Sequence, residues 1–224
     1  GIERFSPDLG ALRHATARDG VAVPEFVRQL RVAVGDPHAA SVHFGSTSQD
    51  VIDTALILRL KRALAILDAR LQSIVHDLAQ LQHRFGSRPI PGITRMQIAI
   101  PITAADRIAT WRTPLERHAE RLKGQLPRLL VVQFGGAAGT LDILGETGPH
   151  VRATLARELD LGDAPQWHNQ RDTIADLAGW LSLVTGSLGK IGQDIALMAL
   201  GGTIQVSGGG GSSAMPHKQN PVKV

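Results

Sequence analysis

The sequence predicts an all-α protein built on long helices. Two long helical segments carry this prediction, one over residues 50–85, where apolar residues recur with heptad spacing, and the other over residues 171–200. A glycine-rich loop follows the second of them, at residues 207–211. With 224 residues and 43% hydrophobic content, the chain is long enough to bury a sizeable core.

The first long helix is predicted from about Asp50 to about Phe85. Thr47 and Asp50 have the spacing of a capping box at its start. Its apolar positions recur with heptad spacing and form a seam: Leu56, Leu60, Leu64, Leu67, Leu71, Ile74, Leu78 and Leu81. A helix of roughly 50 Å cannot bury such a seam inside one small domain. We therefore expect long helices of other subunits to cover it.

The remaining elements are read from apolar spacing and from proline and glycine. We predict short helices and turns over residues 1–45 and a connection over residues 88–92. The other predicted helices are Pro101–Gln125, Pro149–Leu159 and Arg171–Leu200. Pro114 should kink or break the first of these. Residues 135–140 form a glycine turn, required either for close packing or for a site, and a last helix should begin at Asn220.

Composition excludes several classes of partner and site. Aromatic residues make up 4% of the chain and tyrosine is absent, which argues against stacking on nucleic acid. The net charge of +4 is spread along the helices, and no cysteine is present to form disulfides or thiolate metal sites. No apolar run reaches the length of a membrane span. We expect a cytoplasmic protein with no nucleic-acid or membrane partner and no bound metal or cofactor.

The most informative segment is residues 207–221, SGGGGSSAMPHKQNP. A glycine run makes the backbone mobile. Two serines, a lysine and an asparagine follow it within a short distance. A mobile loop with these groups suits closure over an anionic substrate.

This segment resembles the signature loop GSSxMPxKxNP of the fumarase/aspartase superfamily. Two further segments match the same superfamily in the same order: residues 46–50, STSQD, resemble its TSxD region, and residues 92–97, GITRMQ, resemble its GRTHxQ region. The resemblance implies a long-helix bundle of the fumarase/aspartase type, with active sites shared between the subunits of a homotetramer.

The same resemblance implies a division of the chain into domains. Residues 1–45 would be the remainder of an N-terminal helical domain, and residues 46–224 a central long-helix bundle domain, incomplete at its C-terminus. The chain starts without methionine and stops just after the signature loop, so we expect it to be truncated at both ends.

The resemblance also assigns roles to individual residues. Ser212 takes the position of the catalytic serine, which exchanges the proton on the carbon next to a substrate carboxylate. A serine needs its alkoxide stabilised by amides or cations to do this. The implied substrate-binding residues are Thr47, Ser48, Thr94, Arg95, Gln97, Arg171, Lys218 and Asn220. For Thr47 and Ser48, capping of the helix is a compatible second role, and Arg171 could instead form a salt bridge at a helix start.

One departure from the superfamily pattern indicates the subclass. Position 95 is commonly histidine in fumarase, argininosuccinate lyase and adenylosuccinate lyase, and here it is Arg95. An arginine does not exchange protons near neutral pH, but it can clamp a carboxylate. In an intramolecular lactonisation the substrate's own carboxylate is the nucleophile, so no water or amine has to be deprotonated.

This reasoning favours the cycloisomerase branch of the superfamily. Residues 42–51 and 167–172 also resemble its bacterial members. The implied reaction interconverts 3-carboxy-cis,cis-muconate, a small polycarboxylate, and 4-carboxymuconolactone in protocatechuate degradation. Two alternatives stay open: an eliminating enzyme like adenylosuccinate lyase, and an inactive helical structural protein of the same superfamily.

Overall fold

The protein is described by a computed structural model covering residues 4–207 and 209–220. Its main elements, in chain order, are α1 (Leu9–Asp19), α2 (Val23–Val34), α3 (Ser48–Phe85), β1 (Pro89–Thr94), β2 (Gln97–Thr103), α4 (Ala104–Leu129), α5 (Gly148–Glu158), α6 (Asp172–Leu200), β3 (Gly210–Gly211) and β4 (Gln219–Asn220). The prediction of a helical protein dominated by long helices is confirmed. The helix expected to begin at Asn220 falls on residues 221–224, which lie outside the described residues.

The chain forms two compact units. Unit 1 consists of Gly1–Ala65 and Gln125–Ala175, and unit 2 of Ile66–Gly124 and Asp176–Val224. Unit 1 has a small apolar core of Val132, Phe134, Leu141 and Ala156, against which leucines of α5 and its flanking segments pack. The domain division at residue 46 stays a prediction.

The seam of α3 is buried at alternate positions within the chain itself. Leu64, Leu71 and Leu78 are buried, whereas Leu67 and Leu81 are 37% and 43% exposed. The expectation that only other subunits would cover the seam is therefore wrong for the buried positions. Heptad spacing identifies the apolar face of a helix but does not say which chain covers it.

A hairpin of β1 and β2 forms where the sequence predicts a connection at residues 88–92 and the start of a helix at Pro101. The strands pair antiparallel from Pro89 with Thr103 to Thr94 with Gln97, so α4 begins at Ala104 rather than at Pro101. Gly92 is needed here, because a Cβ on it would lie 2.6 Å from the carbonyl oxygen of Ile100.

Pro114 lies inside α4 without breaking it, so of the two expected outcomes the break is wrong and the kink stays a prediction. The helix runs unbroken from Ala104 to Leu129. Buried side chains occur just before and just after the proline, at Trp111 and Leu115. Their packing compensates for the backbone hydrogen bond that proline cannot make.

Two polar pairs align α4 with α6 in unit 2. Trp111 Nε1 donates to Asp194 Oδ2 at 2.7 Å, and His118 Nε2 lies 2.9 Å from Ser187 Oγ. The two pairs are one heptad apart on each helix and run in opposite directions along the chain. They fix an antiparallel register, because a shift of one turn would leave these half-buried polar groups without partners.

His118 is held as a neutral imidazole. Its Nδ1 lies 2.9 Å from a guanidinium nitrogen of Arg121, and a guanidinium can only donate a hydrogen bond. Nδ1 is therefore the acceptor, and the ring proton is on Nε2, which donates to Ser187 Oγ. The indole Nε1 of Trp180 donates to the backbone oxygen of His118. Burial and the positive charges of Arg121 and Arg117 lower the pKa of His118.

This arrangement predicts that unit 2 loses stability on mild acidification. The pKa of His118 lies below its ordinary value of 6.5 in the folded protein, so the unfolded chain binds the proton first. The free energy of unfolding should fall as the pH drops from about 7 to about 5. His118→Gln should flatten this dependence, as measured by urea unfolding at each pH, and His83→Gln, an exposed position, should not. An unchanged pH dependence in His118→Gln would contradict the assignment.

Candidate active site

The hydroxyl pair Thr47 and Ser48 lies at the first turn of α3, held by the carboxylate of Asp50. Asp50 is 3% exposed and accepts four hydrogen bonds. The backbone N–H of Thr47 donates to Oδ2 at 2.9 Å, which is one half of the predicted capping box. Both hydroxyl-bearing residues remain partly exposed. The helix N-terminus thus presents two hydroxyls and a positive dipole end to any anion.

The other three donors to Asp50 come from the segment after α4. Gln133 Nε2 donates to Oδ1 at 2.8 Å, and the N–H groups of Gly135 and Gly136 donate at 3.0 Å. Gln133 is completely buried, and its Oε1 accepts from the backbone N–H of Trp167 at 2.6 Å. One side-chain amide therefore connects α3 to the segment that precedes α6.

Close packing explains the glycine turn at residues 135–140. A Cβ on Gly135 would lie 2.7 Å from Cβ of Gln166, and Gly136 has a φ of +70° with the carbonyl oxygen of Gly45 close by. Both positions exclude a side chain. Their N–H groups donate hydrogen bonds to Asp50, so the turn helps to position Thr47 and Ser48.

Arg171 forms a bidentate ion pair with Asp53, one turn along α3 from Asp50. The two N–O distances are 3.0 and 2.9 Å, and Asp53 is buried. The guanidinium lies over the ring of Trp167 at 5.3 Å. The salt-bridge role considered for Arg171 is thus present in the structure. Its side chain remains 43% exposed, which leaves part of it accessible to a further anion.

Thr94, Arg95 and Gln97 lie at the exposed tip of the β1–β2 hairpin. Arg95 and Met96 occupy the two central turn positions with φ values of 45° and 65°. Such a turn favours glycine or asparagine, and here it carries an arginine and a methionine that is 99% exposed. Left-handed backbone is costly for bulky residues and clusters at functional sites, which is consistent with the substrate-binding role predicted for this segment. Arg95 is exposed at this tip.

Ser212 lies in a second small hairpin, closed by the pairing of β3 with β4. Its Oγ accepts hydrogen bonds from the backbone N–H groups of Ala214 and Met215, at 3.3 and 3.1 Å. Its own N–H donates to the carbonyl oxygen of Lys218 at 3.2 Å. Two amides that point at one hydroxyl oxygen stabilise the alkoxide form. Lys218 is exposed, and Asn220 lies in β4.

The candidate residues fall into two groups, one in each unit. Unit 1 holds Thr47, Ser48 and Arg171 on or against α3. Unit 2 holds the hairpin tip at 94–97 and the loop with Ser212 and Lys218, and no hydrogen bond within the described residues joins these two segments.

Sequence reasoning missed Asp53, Gln133 and the amides of Ala214 and Met215. Two acidic residues one turn apart on α3, Asp50 and Asp53, were the signal for the first of these. The other donors depend on tertiary and turn geometry that residue spacing does not reveal.

The chain belongs to the lyase family, whose model matches residues 18–224. Its resemblance to the fumarase/aspartase superfamily and the long-helix fold of that type are confirmed. A 3-carboxy-cis,cis-muconate cycloisomerase of Pseudomonas aeruginosa is 45% identical over 221 residues, which is 95% of this chain and 48% of the relative.

Two solved structures agree with this assignment. The 3-carboxy-cis,cis-muconate lactonizing enzyme of Pseudomonas putida matches with a TM-score of 0.82 at 41% identity, covering 88% of this chain and 45% of that one. A fumarate lyase of a Mesorhizobium species matches with a TM-score of 0.84 at 40% identity, covering 88% and 46%. The chain thus spans about half the length of the proteins it matches.

Two kinds of feature are absent from the described residues. None of the helices there combines the length and apolar character needed to cross a membrane. No cluster of three or more histidine, aspartate or glutamate side chains occurs there with the geometry of a metal site.

The four hydrogen bonds to Asp50 predict that a single substitution at this position strongly destabilises the fold. Asp50→Asn replaces an oxygen acceptor by an NH₂ group that faces backbone donors, and should lower the free energy of unfolding by about 3 kcal/mol. Asp77→Asn, at an exposed position of the same helix, should change it by less than about 0.5 kcal/mol. Chemical denaturation of both variants measures the difference. Equal stabilities would show that Asp50 does not hold the turn.

Proposed function

We propose that this chain is part of a cofactor-free cycloisomerase that interconverts 3-carboxy-cis,cis-muconate and 4-carboxymuconolactone. The single observation that carries the proposal is the environment of Ser212, whose Oγ accepts two backbone N–H bonds beside Lys218. The names of the relatives at 45% and 41% identity supply the substrate class.

The proposed reaction begins with the substrate's own nucleophile. A carboxylate oxygen of the muconate attacks a carbon of the far double bond and forms the C–O bond of the lactone. The electron pair of that double bond moves toward the neighbouring carboxylate, and Ser212 gives its proton to the carbon next to it. The serine alkoxide, held by the amides of Ala214 and Met215, then takes a proton from solvent, since a carboxylate has been converted into a neutral ester.

The negative charges of the substrate define the remaining roles. Lys218 and Asn220 would hold the carboxylate on which charge accumulates during proton transfer. Thr47 and Ser48 would donate to another carboxylate at the N-terminus of α3. The remaining negative charge of the substrate would be bound by Thr94, Arg95 and Gln97 at the hairpin tip and by the exposed part of Arg171. Arg95 clamps an anion here, because lactonisation needs no histidine base.

A homotetramer in the cytoplasm, with sites shared between subunits, completes the proposal. Large apolar side chains are exposed on α6 and on the hairpin, among them Leu183, Leu197, Ile98 and Ile100. A monomer rarely leaves so many apolar groups in water, and partner subunits would cover them.

The proposal is tested by the loss of diene absorbance when the complete protein acts on 3-carboxy-cis,cis-muconate. Ser212→Ala should lower kcat by about 10²-fold or more with little change in substrate affinity, because proton transfer acts in the transition state. Lys218→Ala should impair both, since its carboxylate contact is made in the ground state and the transition state.

Ser213→Ala provides the matched control, because Ser213 is adjacent and exposed. It should retain normal turnover. Near-normal turnover of Ser212→Ala, or turnover of adenylosuccinate in place of the muconate by the unmodified enzyme, would contradict the proposed function.

A further inference from the structure

Unit 2 contains a cavity of about 570 Å³ that none of the candidate active-site residues lines. The end of α3, the start of α4 and the end of α6 line it, and it is open to solvent on one side. Its apolar wall includes Leu81, Phe85, Ile108, Trp111 and Met198. A cavity of this size is in the range that binds small molecules.

The charged groups at the cavity are cationic. Among the described residues that line it are two arginines, Arg88 and Arg107, and no carboxylate. The guanidinium of Arg88 lies 4.7 Å from the centre of the Phe85 ring, which places positive charge beside the apolar wall. An anionic group with an apolar body therefore complements the cavity better than a cation or a polyanion does.

Arg107 has donor capacity to spare. Its side chain is 23% exposed, and within the described part of the chain no atom accepts a hydrogen bond from its terminal nitrogens. Its nearest acidic partner, Asp194, lies 3.6 Å from NH1 and already takes bonds from Trp111 Nε1 and Lys190. A guanidinium beside an apolar wall is stabilised by an acceptor, and a ligand carboxylate would supply one to these terminal nitrogens.

We propose that this cavity binds a monocarboxylate with an extended apolar body, such as a medium-chain fatty acid, with its carboxylate on Arg107. The apolar body lies along Ile108, Trp111 and Met198. The muconate substrate does not suit this site, because its three carboxylates would be placed against apolar side chains. Ile204 and Gln205, which follow α6 and precede the loop of Ser212, also line the cavity, so the ligand contacts the stem of that loop.

The test uses decanoate below its micelle concentration, with decanol and decyltrimethylammonium as probes of the same chain length. Binding to the full-length protein is followed by calorimetry and by Trp111 fluorescence, with Trp111→Phe to identify the signal. Decanoate should bind at least about 10-fold more tightly than decanol, in line with one charge-assisted contact in a partly dry site. Equal affinities, or no binding of decanoate, would overturn the proposal.

Arg107→Met keeps the apolar stem and removes the charge, and should reduce decanoate binding to the level of decanol. Arg117→Met, an exposed arginine of the same helix, should leave it unchanged. If Arg107→Met does not fold, Arg107→Lys keeps the charge but removes the paired guanidinium donors, and should still weaken decanoate relative to decanol. Decanoate affinity equal to that of the unmodified protein in the folded Arg107 variant would contradict the assignment.

Discussion

The carboxylate of Asp50 is the constraint on which the rest of unit 1 depends. It is almost completely buried, and it accepts hydrogen bonds from the start of its own helix, from Gln133 and from the Gly135–Gly136 turn. Burying a carboxylate is costly unless every oxygen is satisfied. All four donors reach the carboxylate only in one arrangement of the chain. In that arrangement Thr47 and Ser48 lie, partly exposed, at the N-terminus of α3.

Unit 2 depends on a different kind of constraint, a pair of polar contacts between α4 and α6. The contacts of Trp111 with Asp194 and of His118 with Ser187 add little net stability, but each is lost if α4 slides along α6. The neutral state of His118 has a chemical consequence as well. Because its Nε2 carries the proton, it cannot act as the base for Ser187, and this pair is not a nucleophile–base dyad.

The sequence predicted the features that depend on local periodicity. The bounds of α3, α5 and α6 agree with the structure to within two residues, because apolar spacing and capping residues act locally. The three signature segments also identified the family, and the comparisons confirm it.

The features that sequence reasoning missed depend on contacts between distant residues. Proline and glycine at residues 88–92 predict a connection rather than a strand, although Ile98, Ile100 and Ile102 alternate as in a strand. The turn that joins the two strands carries Arg95 and Met96, which are not typical turn residues. Spacing assigned Asp50 to a helix cap, but its three bonds to residues 133–136 are tertiary. In the same way, nothing near Arg171 in the sequence indicates that Asp53 is its partner.

The most direct test of this account is the hydrogen exchange of individual backbone amides in the native protein, measured by NMR. If Asp50 organises unit 1, the amides of Thr47, Gly135 and Gly136 should be strongly protected, since all three donate to one buried carboxylate. The amide of Ala138, exposed in the same turn, should exchange much faster. Exchange of Gly135 and Gly136 as fast as that of Ala138 would contradict the central role given to Asp50.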